Sequence, residues 1–212
     1  QNQMSSGAWP WFKGGRENRF ITQHIVSGLG HLKQLTSTKH SSQNSKTERS
    51  RSNQMQIIKK AIAYLDREFV KDYEYMKKHA TNIKDNHLTS TQIHYLYMRS
   101  FFTEYKKSKK VAEITDYYLG QTKKYWKANS LYRKGMLALI SHRAKDATTA
   151  SKILRSLKEN SITSDELGMY WKENTNSWYW YQAPIETQAL LIEAFSAIEN
   201  DITTVDNLKI WL

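Results

Sequence analysis

Pro184-Ile185-Glu186-Thr187-Gln188-Ala189-Leu190-Leu191-Ile192-Glu193-Ala194-Phe195-Ser196-Ala197-Ile198 is the stretch on which the reading of the fold turns. Pro184 suits the first turn of a helix, where its missing N–H leaves no bond unmade. Glu186 then sits where a helix dipole favours a carboxylate. From Ala189 on, Leu190, Leu191, Ile192, Ala194, Phe195, Ala197 and Ile198 place apolar side chains nearly all round the axis. A helix over about 184–200 is therefore expected to be buried on most sides. Such a helix needs an inner layer to lie in.

Working outward, a last helix is expected to begin near Thr203 and still be running at Ile210-Trp211-Leu212. Upstream, Ser177-Trp178-Tyr179-Trp180-Tyr181 alternates aromatic types, which points to an extended segment near 171–182 with Trp178 and Trp180 on one side. Thr163-Ser164-Asp165-Glu166 matches a capping box and predicts a short turn of helix. Helices are predicted at about 146–159, 130–143, 111–126 and 88–105, with short connections that imply antiparallel neighbours. A long helix over about 53–79 carries Ile58, Ala61, Ile62, Leu65, Phe69, Tyr73 and Met76 as one stripe at steps of three and four. Residues 36–53 hold Ser, Thr, Asn, Lys and Arg without an apolar core and read as a polar surface loop. The first helix, about 18–35, places Ile21, Ile25, Leu29 and Leu32 at helical period. Its Gly28 and Gly30 each cost roughly 1 kcal/mol relative to Ala, which suggests that another backbone approaches closely. Before it, Trp9-Pro10-Trp11-Phe12-Lys13-Gly14-Gly15 forms an aromatic loop.

Helices with one apolar stripe thus coexist with a helix that is apolar almost throughout. A toroid of helical hairpins makes that distinction between its outer and inner rings. The expected fold is therefore all-α: an incomplete α/α toroid forming a single domain over 1–212. The missing initiator Met and an end inside an apolar helix lead to the expectation of a piece of a longer chain.

Composition limits the function classes. The 32 Lys and Arg against 20 Asp and Glu leave a net charge of +12, which favours an anionic partner. The basic pairs Lys59-Lys60, Lys77-Lys78, Lys106-Lys107, Lys109-Lys110 and Lys123-Lys124 are spread along separate helices, however. Nucleic-acid binding needs them gathered on one face, so no nucleic-acid partner is expected. There is no cysteine, which excludes disulfides, CxxC metal sites and thiol nucleophiles within this sequence. No apolar run reaches the length of a transmembrane helix.

Three pieces carry a family resemblance. Gly7-Ala8-Trp9-Pro10-Trp11-Phe12-Lys13-Gly14-Gly15 followed by Ile21-Thr22-Gln23-His24-Ile25-Val26 resembles a Gly-small-aromatic loop running into a helix in the α2-macroglobulin and complement thioester domain. The family has Thr-Ala where this chain has Thr22-Gln23. The stretch from Leu131 to Leu157 is similar to the family's helix–short loop–helix unit, and Ala183-Pro184-Ile185-Glu186-Thr187-Gln188-Ala189 to its late Ile-Glu-Thr-Thr-Ala helix. Their order fits, and the aromatic-rich version looks most like large bacterial homologues of Bacteroides-type organisms. The resemblance implies an α/α toroid, an extracytoplasmic location and protease trapping. It implies the other domains of a parent protein and target proteases as partners, and membrane contact only through an anchor on the parent. Active members carry a Cys-x-Glu-Gln thioester that acylates the attacker. No such motif occurs here; in the family it precedes the aromatic loop, so a position upstream of Gln1 and a parent without it both stay open. The reading gives about eight or nine helices, against roughly twelve in a full toroid of this type.

His24 and His31, like His87 and His94, are seven residues apart, about 10.5 Å of helical rise, too far for two ligands of one zinc. No metal and no cofactor is expected. Glu173, Glu186 and Glu193 lie near aromatics and could serve as the carboxylate pair of a glycan-cleaving enzyme on an α/α barrel, the rival reading. A plain scaffold is the third. No catalytic residue is assigned. Trp9, Trp11, Trp178 and Trp180 are the candidate partner-contact residues; covering helix ends and stacking on sugars are the other readings of these aromatics, together with Trp171.

Overall fold

The computed structural model describes residues 2–37, 45–174 and 183–212. The chain is mostly helical, and its packing divides it into two compact units, Gln1–Tyr118 and Leu119–Leu212.

In the first unit a two-stranded hairpin, β1 (Trp9–Pro10) and β2 (Glu17–Asn18), leads into α1 (Arg19–Ser37). Then come α2 (Ser45–His79), α3 (Ser90–Ser100) and the first part of α4 (Lys109–Tyr125). Helix α2 starts earlier than its apolar stripe. The part of the expected loop from Ser45 on is helical, in keeping with the good helix propensity of Lys, Glu, Arg and Gln; residues 38–44 lie outside the described residues. Of the expected stripe, Ile58, Ala61, Ile62, Leu65 and Phe69 are buried, while Tyr73 and Met76 are half-buried. Helix α3 is shorter than the expected 88–105. It ends at Ser100, where the Arg99 guanidinium donates to the carbonyls of Phe102 (2.5 Å) and Tyr105 (2.6 Å) and so turns the chain.

The degree of burial separates the helices. Eight consecutive residues of α3, Gln92 to Arg99, are buried, so the helix is enclosed on every side. Helix α4 instead buries a single stripe of Val111, Ile114, Thr115, Tyr118, Gln121 and Thr122. Within the first unit α1 packs on α2 and on α3. Gly30 permits the latter approach: a Cβ there would lie 2.6 Å from the Phe101 ring. The close neighbour is a side chain rather than the backbone expected, and a Cβ on Gly28 would meet nothing within 4 Å.

The second unit contains a 3-10 turn (Trp126–Ala128), α5 (Leu131–Arg143) and α6 (Ala147–Glu159). A hairpin of β3 (Ile162–Ser164) and β4 (Gly168–Tyr170), a 3-10 turn (Lys172–Asn174), α7 (Pro184–Ile198) and α8 (Ile202–Ile210) follow. Helix α5 is enclosed like α3, with Gly135 to Ser141 all buried, and α6 buries one face. Helix α5 packs on α6 and α7, and α7 on α8.

Four expectations are corrected here. Helix α7 is not buried on most sides: Thr187, Gln188, Leu190, Leu191, Ala194 and Phe195 form one buried face, while Ile185 is 59% exposed and Ala189 and Ala197 are exposed. The helix has more apolar residues than its neighbours cover. The Thr163–Glu166 stretch makes no helical turn. Thr163 pairs with Met169 across an antiparallel hairpin, closed by Gly168 at φ +64° and by the Leu167 N–H donating to Ser164 Oγ at 3.0 Å. At the start of the expected extended segment, Lys172–Asn174 forms a 3-10 turn; residues 175–182 lie outside the described residues. Finally, α8 ends at Ile210, with Trp211 as its cap.

Candidate functional site

The aromatic loop is a hairpin with an explicit scaffold. Asn18 caps α1, its Oδ1 accepting the Ile21 N–H at 2.9 Å. Thr22 on the first turn joins both strands to the helix: its hydroxyl donates to Asn18 O (2.7 Å) and accepts the Trp9 N–H (2.9 Å). At the tip, Gly15 N–H donates to Phe12 O at 2.9 Å, and Gly14 at φ +83° takes the position that a type II turn reserves for glycine. At the base, Gln3 Nε2 donates to Gly7 O (3.0 Å) and Ile57 O (2.9 Å), and Arg67 donates to Ser6 O at 3.2 Å. Trp9 and Trp11 share this hairpin but not their surroundings. Trp9 is half-buried, whereas Trp11 is 66% and Phe12 68% exposed. The loop thus lifts two large apolar side chains into solvent on a bonded frame. Trp178 and Trp180 lie outside the described residues.

Beneath the hairpin runs a polar seam between α1, α2 and α3. Arg19 is ion-paired with Asp72 and donates through Nε to Gln23 Oε1 at 2.9 Å. Asp72 also accepts Gln92 Nε2 at 2.8 Å. With its oxygen taken by Arg19, Gln23 must use its amide N–H toward His94 Nδ1 (3.2 Å); this makes Nδ1 an acceptor and leaves the His94 proton on Nε2. Burial, with the nearby His24, pushes the His94 pKa down to about 3, so the ring is neutral. One turn on, Asp66 accepts the Tyr95 hydroxyl (2.6 Å) and Arg99 Nε (3.2 Å). Burial, then the Asp66 charge, pushes the Tyr95 pKa well up. Arg99 itself is only 2% exposed.

The histidines pair differently from their spacing in sequence. His24 meets His94 of α3 with ring centroids 4.4 Å apart, and His31 faces the Tyr97 hydroxyl at 3.1 Å. His87 lies before α3, its Nε2 3.0 Å from Asn82 O. Among the described residues no three His, Asp or Glu side chains converge as a metal site.

Two of the three carboxylates of the enzyme reading, Glu186 and Glu193, both help to raise the Tyr132 pKa, after burial. Glu193 is ion-paired with Arg143 at 2.5 Å, Glu186 is exposed in the first turn of α7, and Glu173 is exposed in a 3-10 turn. Trp171 is no surface aromatic: it is 2% exposed, with Nε1 donating to Leu157 O at 2.9 Å. Within the Ile-Glu-Thr-Gln motif, Gln188 is fully buried, and its Nε2 donates to Met169 O (2.8 Å) and Leu208 O (3.0 Å), tying β4 and α8 to α7.

Sequence reasoning missed the Asp66, Asp72, Gln92 and Arg99 network, although the alternation of long polar and apolar residues in Gln92-Ile93-His94-Tyr95-Leu96-Tyr97-Met98-Arg99 is its trace. No protein-family model and no curated protein matches the chain.

Proposed function

We propose that this chain is part of an α/α toroid in an α2-macroglobulin-like protein that traps proteases outside the cytoplasm, and that it acts there without catalysis of its own. The observation that carries the reading is an alternation from α2 to α6, which α7, with its one buried face, does not continue. Helices α2, α4 and α6 bury one face, whereas α3 and α5 are enclosed on every side. Helices two apart in sequence also pack together, α1 on α3 in one unit and α5 on α7 in the other. A ring of helical hairpins calls for this pattern, because one helix of each hairpin faces outward and the other lies between its neighbours. The ordered motifs around Trp9, Leu131 and Ile185 support the same reading. Against the glycan-enzyme alternative stands the Arg143–Glu193 ion pair, which commits one of its carboxylates to structure.

The test is to incubate the protein carrying this chain with a trypsin-like protease and separate the products by native electrophoresis. A trap changes mobility after limited cleavage and keeps the protease active on small peptides but not on large proteins. A protease that remains equally active on both, with no mobility change, would sink the proposal.

A further inference from the structure

We infer that the β1–β2 hairpin tip is a docking element for an anionic lipid surface. Trp11 and Phe12 are adjacent, 66% and 68% exposed, and stand on the bonded turn closed by Phe12 and Gly15. Lys13 and Arg16 flank them, both exposed. From Trp9 to Arg16 there is no carboxylate; Glu17, in β2, is the one acidic residue of the hairpin. The base lies against α2 at Lys60, whose carbonyl abuts Gly7, and at Arg67, and both of these residues are exposed. Charge complementarity therefore selects an anionic partner. The pairing of a Trp and a Phe on a convex turn selects one that accepts apolar side chains at its boundary while presenting negative charge. A bilayer with anionic headgroups has both properties: aromatic rings settle at the headgroup level, and nearby cations add attraction. The frame of Thr22, Asn18 and Gln3 holds the tip in place before contact, so docking orders little chain. Among the described residues no helix is long and apolar enough to cross a membrane, so the contact is peripheral. The inference is independent of protease trapping.

The test uses the 212-residue chain with phosphatidylcholine vesicles with and without phosphatidylglycerol, read by co-sedimentation at low salt. Binding is expected only with phosphatidylglycerol. It should fall by about tenfold or more in a Trp11→Ser/Phe12→Ser double variant, since two buried aromatic side chains are lost, and comparably in Lys13→Glu/Arg16→Glu. All four side chains are exposed, and unchanged circular dichroism will show that the variants fold. No binding to the anionic vesicles, equal binding to both vesicle types, or full binding by the aromatic double variant would each overturn the inference. The last result would assign the binding to the overall positive charge.

Discussion

Gly7 has φ +98° and no room beside it: a Cβ would lie 2.2 Å from the carbonyl oxygen of Lys60. Backbone cannot yield as the end of a long side chain can. Gly7→Ala should therefore destabilise the first unit by more than about 1 kcal/mol, measured as a shift of the urea midpoint; an unchanged midpoint would contradict the close approach. His94 makes a second residue-scale prediction. Its folded pKa, about 3, is held down by burial and then by His24, below the roughly 6.5 of a free histidine. Between these values the unfolded chain binds a proton that the folded chain does not, so stability rises with pH across the window. It should be fully present above about pH 6.5 and decline as pH falls toward 3, by roughly 1 kcal/mol per pH unit through the middle of that range. His94→Gln keeps an amide partner for Gln23 and removes the proton. Urea midpoints at pH 7 and pH 5 should converge in that variant; a gap as wide as in the parent would assign the pH dependence to other groups.

At the scale of the element, α3 shows how a helix of mixed composition is enclosed. Its buried polar side chains are all engaged: Gln92 by Asp72, His94 by Gln23, Tyr95 and Arg99 by Asp66, Tyr97 facing His31. A buried polar group costs little when bonded and much when it is not. Asp66→Ala leaves the buried Arg99 charge without its carboxylate and should cost about 3–5 kcal/mol. Asp66→Asn, which keeps an acceptor, should cost less. Equal losses in the two variants would mean that the retained acceptor contributes nothing and that the charge carries the whole interaction. The helix also shows where sequence reading stops. The stripe of α2 as far as Phe69 and the bounds of α5 and α6 were legible, because apolar period is local. The enclosure of α3 was not, since it depends on partners 29 and 33 residues away on α2 and 71 away on α1. Helix α7 failed in the opposite direction: apolar composition implies burial only where a neighbour exists to cover it. Of the hairpin, the aromatic composition and turn glycines were visible in sequence, but the contrast between half-buried Trp9 and exposed Trp11 follows from Thr22, a contact with no periodic signature.

For the whole molecule, the layer assignment makes a prediction that hydrogen exchange can check. Native-state exchange reports how much of the structure must open before an amide meets water. An enclosed helix cannot peel away without exposing several faces at once, whereas a one-faced helix can open from its outer side. The slowest amides should therefore fall in two groups, one in each compact unit: within Ile93–Arg99 of α3 and within Gly135–Ser141 of α5. Helix α7 should exchange faster than α5, despite its more apolar sequence, because Ile185, Ala189 and Ala197 already face solvent. Gly135 sharpens the comparison. A Cβ there would meet Leu191 and Leu190 at 3.2 and 3.3 Å, so Gly135→Val should separate α5 from α7 and speed exchange in both, while α3 keeps its protection. Slowest exchange in α7, or uniform loss of protection across α3 and α5 in that variant, would rule out α5 as the enclosed helix of its unit and remove the alternation on which the toroid reading stands.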